Sequence, residues 1–242
     1  MEKETNYRIF LLSPAYAGGR RAKMILSDRA QFELARKLRG KTGATIAEVF
    51  TFLSGLYFRG KFAYATTFAR SARGTPGVFV ITPTRGLVDA TTRIHLEDLR
   101  EFAAVDIHVD DSRYRLPIER DARRLAKKLP LESEVILLGS IATGKYVGVL
   151  LATFGEKLRF PSEFIGRGDM SRGGLMLRCA VDRQELRYVP VAGATVNGKR
   201  PAKLAPRRYT CRGFIRSDDF GSLESFGAGN PSFLIYLFCV AG

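Results

Sequence analysis

Short apolar runs alternate along the first two-thirds of the chain with longer segments in which apolar residues recur at helical spacing. The runs Tyr7–Leu12, Val78–Ile81 and Val135–Leu138 have the length and composition of buried strands. Strands that alternate with helices of this length favour a parallel sheet that is covered on both faces. We therefore predict an α/β fold with a three-layer, Rossmann-like core and a mainly parallel sheet. A further short strand is expected at Val105–Val109.

The pattern of the chain changes after Pro161. Leu175–Val181 and Leu186–Val191 look like two antiparallel strands that are joined by a turn. Residues 194–208 are rich in Lys, Arg and Pro and are expected to form a loop. We predict a core domain over residues 1–160 and a basic, β-rich extension over residues 161–242 that packs on the core.

Three turns are expected to lie at one edge of the predicted sheet. They are Pro14–Gly19, Pro83–Gly86 and Gly139–Gly144, and each follows a predicted strand. Ligands in open α/β sheets bind beyond the carboxyl ends of the strands. This edge is therefore the expected place of a binding site.

The third of these turns matches the pattern G-x-x-x-x-G-K from Gly139 to Lys145 and follows a strand, as a phosphate-binding loop does. Tyr146 stands where a Ser or Thr must bind magnesium, so an ordinary P-loop NTPase is not predicted. A simpler anion site formed by Gly139, Ser140, Thr143 and Lys145 remains compatible with the pattern. The alternative is a glycine-rich turn with a solvated lysine.

A second polar turn, Gly166–Gly174, contains two arginines, an aspartate and a serine among four glycines. Guanidinium groups suit the binding of phosphate or carboxylate, so Arg167, Ser171 and Arg172 are predicted to bind an anion. Asp169 is the candidate general base for catalysis, although structural pairing with an arginine is the more common role. We expect this turn and the turn that begins at Gly139 to converge on one anion site.

Aromatic and basic residues are interleaved in Ser54–Tyr64. Aromatic rings can stack on bases while cations contact phosphates. Tyr57, Arg59, Arg85 and Tyr146 are therefore predicted to contact a base or another part of a ligand. The alternative is that the aromatic residues belong to the core and the cations face solvent.

The chain carries a formal net charge of +15, with a pI near 10.1. Between Glu156 and Arg216, fourteen basic residues are opposed by five acidic ones. Such a charge is common in proteins that bind polyanions, so nucleic acid or a nucleotide is the expected partner. Lys199–Arg208 could bind phosphates or remain a solvated loop.

Other classes of protein are poorly supported. The three cysteines are far apart and form no C-x-x-C pair, which favours a reducing cytoplasm. With two histidines and no metal-binding spacing, neither a metal nor a cofactor is predicted. The apolar segment Phe233–Val240 is too short to span a bilayer, so no membrane partner is expected.

Three segments in order resemble a known group of domains: Leu56–Ala65, Val78–Leu87 and Val135–Phe154. The pattern resembles uncharacterised bacterial α/β domains that read L-Y…F…Y-A and then I-L-S-A-x-Y-G-L, and that are related to the uracil-DNA-glycosylase-like fold. Thr82–Arg85 departs from the S-A-x-Y form. The resemblance implies a Rossmann-like sheet with a nucleobase or nucleotide pocket at its carboxyl edge.

These observations lead to two main functional hypotheses. The first is a nucleotide- or nucleic-acid-directed protein, in one form an enzyme that acts on a nucleobase or an N-glycosidic bond with Asp169 as general base. The second is a non-catalytic nucleic-acid-binding module that uses the basic extension. A structural protein whose charge is incidental is a third. Substrate, reaction and oligomeric state stay open.

Overall fold

The computed structural model describes residues 7–142, 144–195 and 198–206. This part of the chain contains eight strands and eight α-helices. The strands are β1 (Arg8–Leu12), β2 (Ala44–Thr45), β3 (Val78–Thr82), β4 (Gly86–Asp89), β5 (Arg93–Ile94), β6 (Glu134–Leu138), β7 (Leu158–Pro161) and β8 (Tyr188–Pro190). The helices are α1 (Arg20–Leu26), α2 (Glu33–Arg39), α3 (Ile46–Ser54), α4 (Leu56–Phe68), α5 (Leu96–Ala103), α6 (Ser112–Lys128), α7 (Val147–Phe154) and α8 (Asp169–Asp182).

Six of the strands form one sheet in the order β4-β3-β1-β6-β7-β8, and β2 pairs with β5 in a small separate sheet. The four inner strands of the large sheet are parallel, and β4 and β8 are antiparallel edge strands. Phe10 pairs with Val78 on one side and with Ile136 on the other. This arrangement confirms the predicted α/β class with a mostly parallel sheet.

The order of the parallel strands creates a switch point between β1 and β6. The chain passes from β1 to β3 on one side, and then crosses back to form β6 on the other side of β1. Connections that leave two neighbouring strands in opposite directions open a crevice beyond their carboxyl ends. The turns that follow β1, β3 and β6 all lie at this carboxyl edge, as predicted.

The helices form two packed groups. In one, α4 packs closely on α8 and also contacts α3, β1 and β3. In the other, α6 packs on α7, and these helices contact β4 and β7 respectively. The helix that begins after Thr45 has a capping box, because the Thr45 and Glu48 side chains satisfy each other's backbone N–H groups. In the described residues no helix is long and apolar enough to cross a membrane.

Two predicted strands are wrong. Leu175–Val181 lies within α8, because its apolar side chains at helical spacing, among them Met176 and Ala180, are buried. Val105–Val109 does alternate between half-buried and exposed side chains, but no strand of the described residues pairs with it, and it runs from a bend to a turn. An alternation of apolar and polar residues predicts which side chains are buried and which are exposed. A strand also requires a neighbouring strand that pairs with it through backbone hydrogen bonds.

One compact unit of the chain extends to Pro201. The elements β7, α8 and β8, which follow the predicted boundary at residue 160, belong to this unit. The segment 198–206 is irregular in the described residues, in agreement with the predicted loop. The predicted strand at Phe233–Val240 and the rest of the extension from residue 207 lie outside the described residues.

A charged cluster ties the amino ends of the inner strands together. Arg8, at the start of β1, is only 8% exposed and forms ion pairs with Glu134 and Glu185. Arg159 also pairs with Glu134, and the guanidinium group of Arg8 lies 4.9 Å from the ring centre of Tyr188. Burial raises the pKa of Glu134, but the hydrogen bonds from Arg8 and Arg159 outweigh it, and the net pKa is lowered.

Replacing Arg8 by methionine is expected to lower the free energy of unfolding by about 2 to 3 kcal/mol at pH 7, because two partly buried carboxylates, Glu134 and Glu185, each lose one ion-pair partner. The loss should shrink in acid, where Glu134 takes up a proton as the pH falls through its lowered folded pKa. Urea denaturation at several pH values measures both effects. The control is Arg113→Met, which removes an exposed pair with Asp111 and should change little. An equal loss in both variants would contradict the expectation.

Candidate functional site

Helices α4 and α8 approach each other until their backbones touch. A Cβ atom added to Gly60 would lie 2.5 Å from the carbonyl oxygen of Gly173, and one added to Gly173 would lie 2.7 Å from that of Leu56. Only glycine allows this separation, because any other residue would place a side chain between the helices. The contact brings residues 57 and 61 of α4 beside the first turn of α8, at the carboxyl edge of the sheet.

Lys61 is fully enclosed, with 1% of its surface exposed. Its Nζ atom lies 2.7 Å from the backbone oxygen of Ser13 and 2.8 Å from the Ser13 Oγ atom. The same Nζ atom lies 4.5 Å from the ring centre of Tyr57 and 4.9 Å from that of Phe58. Ser13 is the first residue after β1, so the lysine is held at the switch point of the sheet.

Burial lowers the pKa of Lys61 to about 7, and the negative charge of Asp169 acts weakly in the opposite direction. No carboxylate forms an ion pair with Lys61 among the described residues, which leaves desolvation as the main effect. A lysine with this pKa is present in both its neutral and its charged form near neutral pH. It can therefore accept a proton as well as donate one.

Tyr146 and Gly139 complete the surroundings of Ser13. The Tyr146 hydroxyl donates to the backbone oxygen of Ser140 at 3.0 Å. Burial raises its pKa, which a hydrogen bond with Ser13 partly offsets. A Cβ atom on Gly139 would lie 2.6 Å from the Tyr146 hydroxyl and 2.7 Å from the Ser13 Cβ. The start of the turn after β6 is thus pressed directly against the start of the turn after β1.

The first turn of α8 supplies the charges of the site. Arg172 is anchored by two donated hydrogen bonds to the Phe164 backbone oxygen, at 3.2 Å from Nε and 3.0 Å from Nη2. It also pairs with Asp169 at 3.6 Å, and the Arg172 side chain is 16% exposed while that of Asp169 is 65% exposed. The arginine is therefore held rigidly in the site, whereas the aspartate faces largely outward.

The hydroxyl group of Tyr57 is buried and has no hydrogen-bond partner in normal geometry. Burial raises its pKa, and the nearby positive charge of Arg172 opposes this effect while Asp169 adds to it. A buried hydroxyl without a partner costs free energy, so native proteins rarely keep one. Such a group beside a charged arginine marks a position where a ligand can supply the missing partner.

A small cleft opens beside these groups. Gly139, from the turn after β6, and Arg172, from the first turn of α8, both contribute to its wall. Its other walls are apolar. The residues that line it are Gly139, Ile141, Phe160, Phe164, Ile165 and Arg172.

Other residues predicted for the anion site make contacts within the protein. Arg167 donates to the Glu163 backbone oxygen at 3.0 Å and to the Ser171 hydroxyl at 3.2 Å. The Ser140 hydroxyl accepts from the backbone of Ala142 at 3.3 Å. Lys145 is exposed, and Thr143 lies outside the described residues. Anion binding by these groups stays a prediction.

The residues predicted to contact a base or another part of a ligand also fall into two groups, those that lie at the site and those that lie elsewhere. Tyr57 and Tyr146 are at the site. Arg59 is half-buried on α4. Arg85 lies in the turn between β3 and β4, where it forms ion pairs with Asp98 and Glu101, so its charge is largely balanced by α5.

Sequence reasoning missed Ser13 and Lys61. The cations of this segment, Lys61 among them, were interpreted as phosphate contacts or, in the alternative, as solvent-facing. Lys61 is instead buried, because α4 is covered on most of its surface, with Tyr57, Phe58, Ala65 and Phe68 also buried. One signal was available: Lys61 follows Tyr57 by one helical turn and therefore lies on the same face of the helix.

The buried Tyr57 hydroxyl, which makes no hydrogen bond of normal geometry, provides a test of the site. Tyr57→Phe is expected to raise the free energy of unfolding by about 1 kcal/mol, because a desolvated group without a partner is removed. Tyr64→Phe is the matched control: the Tyr64 hydroxyl accepts from the Leu186 backbone at 2.8 Å and bonds to Tyr188 at 2.6 Å, so its loss should cost about 1 to 2 kcal/mol. Denaturant titration of both variants measures the difference, and a destabilised Tyr57→Phe would contradict this view of the site.

In the described residues no group of three or more His, Cys, Asp or Glu side chains is arranged to hold a metal ion. Comparison of the chain with family models, with curated proteins and with solved structures found no match.

Proposed function

We propose that this chain is an enzyme that binds an anionic ligand of the nucleotide type in the crevice between the carboxyl ends of β1 and β6. The observation that carries the proposal is the buried Tyr57 hydroxyl, which makes no hydrogen bond of normal geometry and lies beside the guanidinium group of Arg172. A ligand oxygen would satisfy the hydroxyl and meet the positive charge in one place.

Several features favour a negatively charged ligand. Only Asp169 pairs with Arg172 among the described residues, at 3.6 Å and from an exposed position, so the charge of Arg172 is incompletely balanced. The backbone N–H groups in the first turn of α8, a helix of fourteen residues, add a partial positive charge at the same end. The net charge of +15 attracts anions to the protein as a whole.

The proposed fold supports a nucleotide in particular. Crossover connections between parallel strands are almost always right-handed, so α4, between β1 and β3, and α6, between β3 and β6, belong on opposite faces of the sheet. This gives the three-layer, Rossmann-like core that the sequence predicts, with a switch-point crevice of the kind that binds nucleotides.

The reaction expected from the sequence is attack on a nucleobase or N-glycosidic bond with Asp169 as general base. Support for this role comes from the position of Asp169 beside Arg172, where its charge acts on both Lys61 and Tyr57. Asp169→Asn should then abolish turnover and leave ligand binding intact.

Binding of nucleoside monophosphates, measured by isothermal titration calorimetry on the full chain, tests the proposal. Arg172→Met should weaken binding by at least about tenfold, the effect of losing a charged hydrogen bond of about 1.4 kcal/mol. Arg113→Met, which removes an exposed arginine at the start of α6, is the control and should bind as the wild type does. Equal affinity of the wild type and Arg172→Met would overturn the proposed site.

Calorimetry with an oligonucleotide in place of the monophosphate distinguishes the proposed enzyme from a non-catalytic nucleic-acid-binding module. In that case a single-stranded oligonucleotide would bind in a strongly salt-dependent manner, and neutralising Lys199, Arg200 and Lys203 would weaken it. Under the present proposal the neutralised variant keeps its affinity for the monophosphate.

A further inference from the structure

We propose that Ser13 is a nucleophile and that Lys61 is the base that activates it, forming a Ser–Lys pair that attacks the carbonyl carbon of an ester or amide. The location of the substrate in the edge crevice rests on the proposed function, whereas the reactivity of the pair does not. The reaction type is a new assignment for this site, because neither residue belongs to a sequence motif of a hydrolase.

The distance between the two groups carries the inference. Ser13 Oγ and Lys61 Nζ are 2.8 Å apart, which is within the range of a nucleophile and its general base. The second contact of Nζ, at 2.7 Å from the Ser13 backbone oxygen, holds the amine in one orientation toward the same residue. A base must be positioned by another group in order to act efficiently, and this carbonyl supplies the position.

The proton inventory of the pair is consistent with base catalysis. A neutral amine has two N–H groups and one lone pair, so it can donate to the Ser13 carbonyl while it accepts from the Ser13 hydroxyl. The Tyr57 and Phe58 rings cover the remaining sides of Nζ and exclude water. The lowered pKa of Lys61 provides the neutral form near pH 7, which an exposed lysine does not.

The position of Ser13 in the fold is also that of a reactive group. It follows β1 directly, at the switch point, and its backbone N–H is fixed by the Leu138 oxygen at 3.1 Å. Gly139 faces Ser13 without a side chain, and a Cβ atom there would come within 3.1 Å of Oγ. The glycine therefore adds no side-chain atom to the neighbourhood of the hydroxyl, where Lys61 and the Tyr146 hydroxyl already lie.

The proposed step balances without an oxidant, a reductant or a cofactor. Oγ bonds to the carbonyl carbon, the bond from that carbon to the leaving group breaks, and the Ser13 proton passes to Lys61 and then to the leaving group. Water next attacks the Ser13 ester and gives its proton to Lys61. The ester bond to Oγ then breaks, the carboxylic acid leaves, and Ser13 regains a proton from Lys61.

A purely structural role for Lys61, in which its hydrogen bonds only hold Ser13 against α4, predicts a different reactivity. In that case Ser13 has the low reactivity of an ordinary serine hydroxyl. An activated serine reacts with small neutral sulfonyl fluorides at a rate that follows the neutral fraction of its base. A neutral sulfonyl fluoride carries no charge, so its reaction with Ser13 does not require the positive charge of Arg172.

The test is incubation of the full chain with phenylmethanesulfonyl fluoride, followed by intact mass measurement and peptide mapping. We expect one adduct, on Ser13, whose rate of formation rises with pH around 7. Lys61→Met should slow labelling by at least about 100-fold, the usual scale of general-base catalysis, and Ser13→Ala should abolish it. Ser27→Ala, at an exposed position after the end of α1, is the control and should be labelled at the wild-type rate.

Wild-type protein that stays unlabelled at Ser13, or a rate that is independent of pH between 6 and 9, would overturn the proposal even if Lys61→Met fails to fold. Equal labelling of a folded Lys61→Met would do the same. Labelling is measured without any nucleotide, so failure of nucleotide binding and failure of the Ser–Lys pair are separate results.

Discussion

Gly60→Ala is expected to lower the free energy of unfolding by about 3 kcal/mol or more, the upper part of the range for overpacked cores. The added Cβ would lie 2.5 Å from the Gly173 oxygen and 2.9 Å from the Gly173 Cα. Both obstructing atoms belong to the backbone, so the clash is relieved only if α4 and α8 move apart. Because these helices carry Lys61 and Arg172, nucleotide binding should fall as well.

Gly148→Ala is the matched control for this substitution. Gly148 also lies in a helix, α7, but a Cβ atom there has nothing within 4 Å. Alanine should therefore leave stability unchanged or raise it by up to about 1 kcal/mol, because it restricts the unfolded chain. Chemical denaturation of the two variants measures the difference. If Gly60→Ala is as stable as Gly148→Ala, the backbone contact between α4 and α8 is not as close as described.

Lys61→Met is expected to remove a large pH dependence of stability. The folded pKa of Lys61 is about 7, below the ordinary value of 10.5, so between these values the unfolded chain binds a proton that the folded chain does not. The contribution of Lys61 to stability therefore rises with pH from about 7 to about 10.5, and below pH 7 the cost of burying its charge is at its full value. The change can reach about 5 kcal/mol over this window.

The measurement is the free energy of unfolding at steps between pH 6 and pH 10 for wild type and variant. The charge of Asp169 acts on Lys61 and the Tyr57 ring lies against the Nζ atom, and the raised pKa of Tyr57 keeps its hydroxyl neutral over the window. At pH 6 the variant should have the larger free energy of unfolding. As the pH rises, the free energy of unfolding of the wild type should increase relative to that of the variant. Lys127→Met, at an exposed position of α6, should run parallel to the wild type. Parallel curves for Lys61→Met would mean that Lys61 titrates as an ordinary lysine.

Local patterns were enough to predict much of the scaffold. The apolar runs at Arg8–Leu12, Val78–Thr82 and Glu134–Leu138 form neighbouring parallel strands, because a strand that is buried on both faces needs apolar residues throughout. The turns after these strands reach one edge because parallel strands point the same way. The capping box at Thr45 and Glu48 was also readable, since its contacts span only three residues.

Some residues that were chosen from the sequence also lie near one another in the structure. Arg172 and Gly139, chosen from two separate polar turns, line one cleft, and Tyr57 lies beside Arg172. Helix α8 was missed, and two strands were predicted wrongly, because an apolar pattern predicts burial more reliably than it predicts the element that provides it.

Only the tertiary structure decided which residues meet at the switch point. Ser13 and Lys61 are 48 positions apart, and Lys61 comes together with Arg172 through the contact of Gly60 with Gly173. No local periodicity specifies these distances, because they depend on the strand order and on how closely two helices pack. The sequence by itself determined an α/β sheet and the edge where its turns collect, and the packing of α4 against α8 determined that a buried lysine lies there.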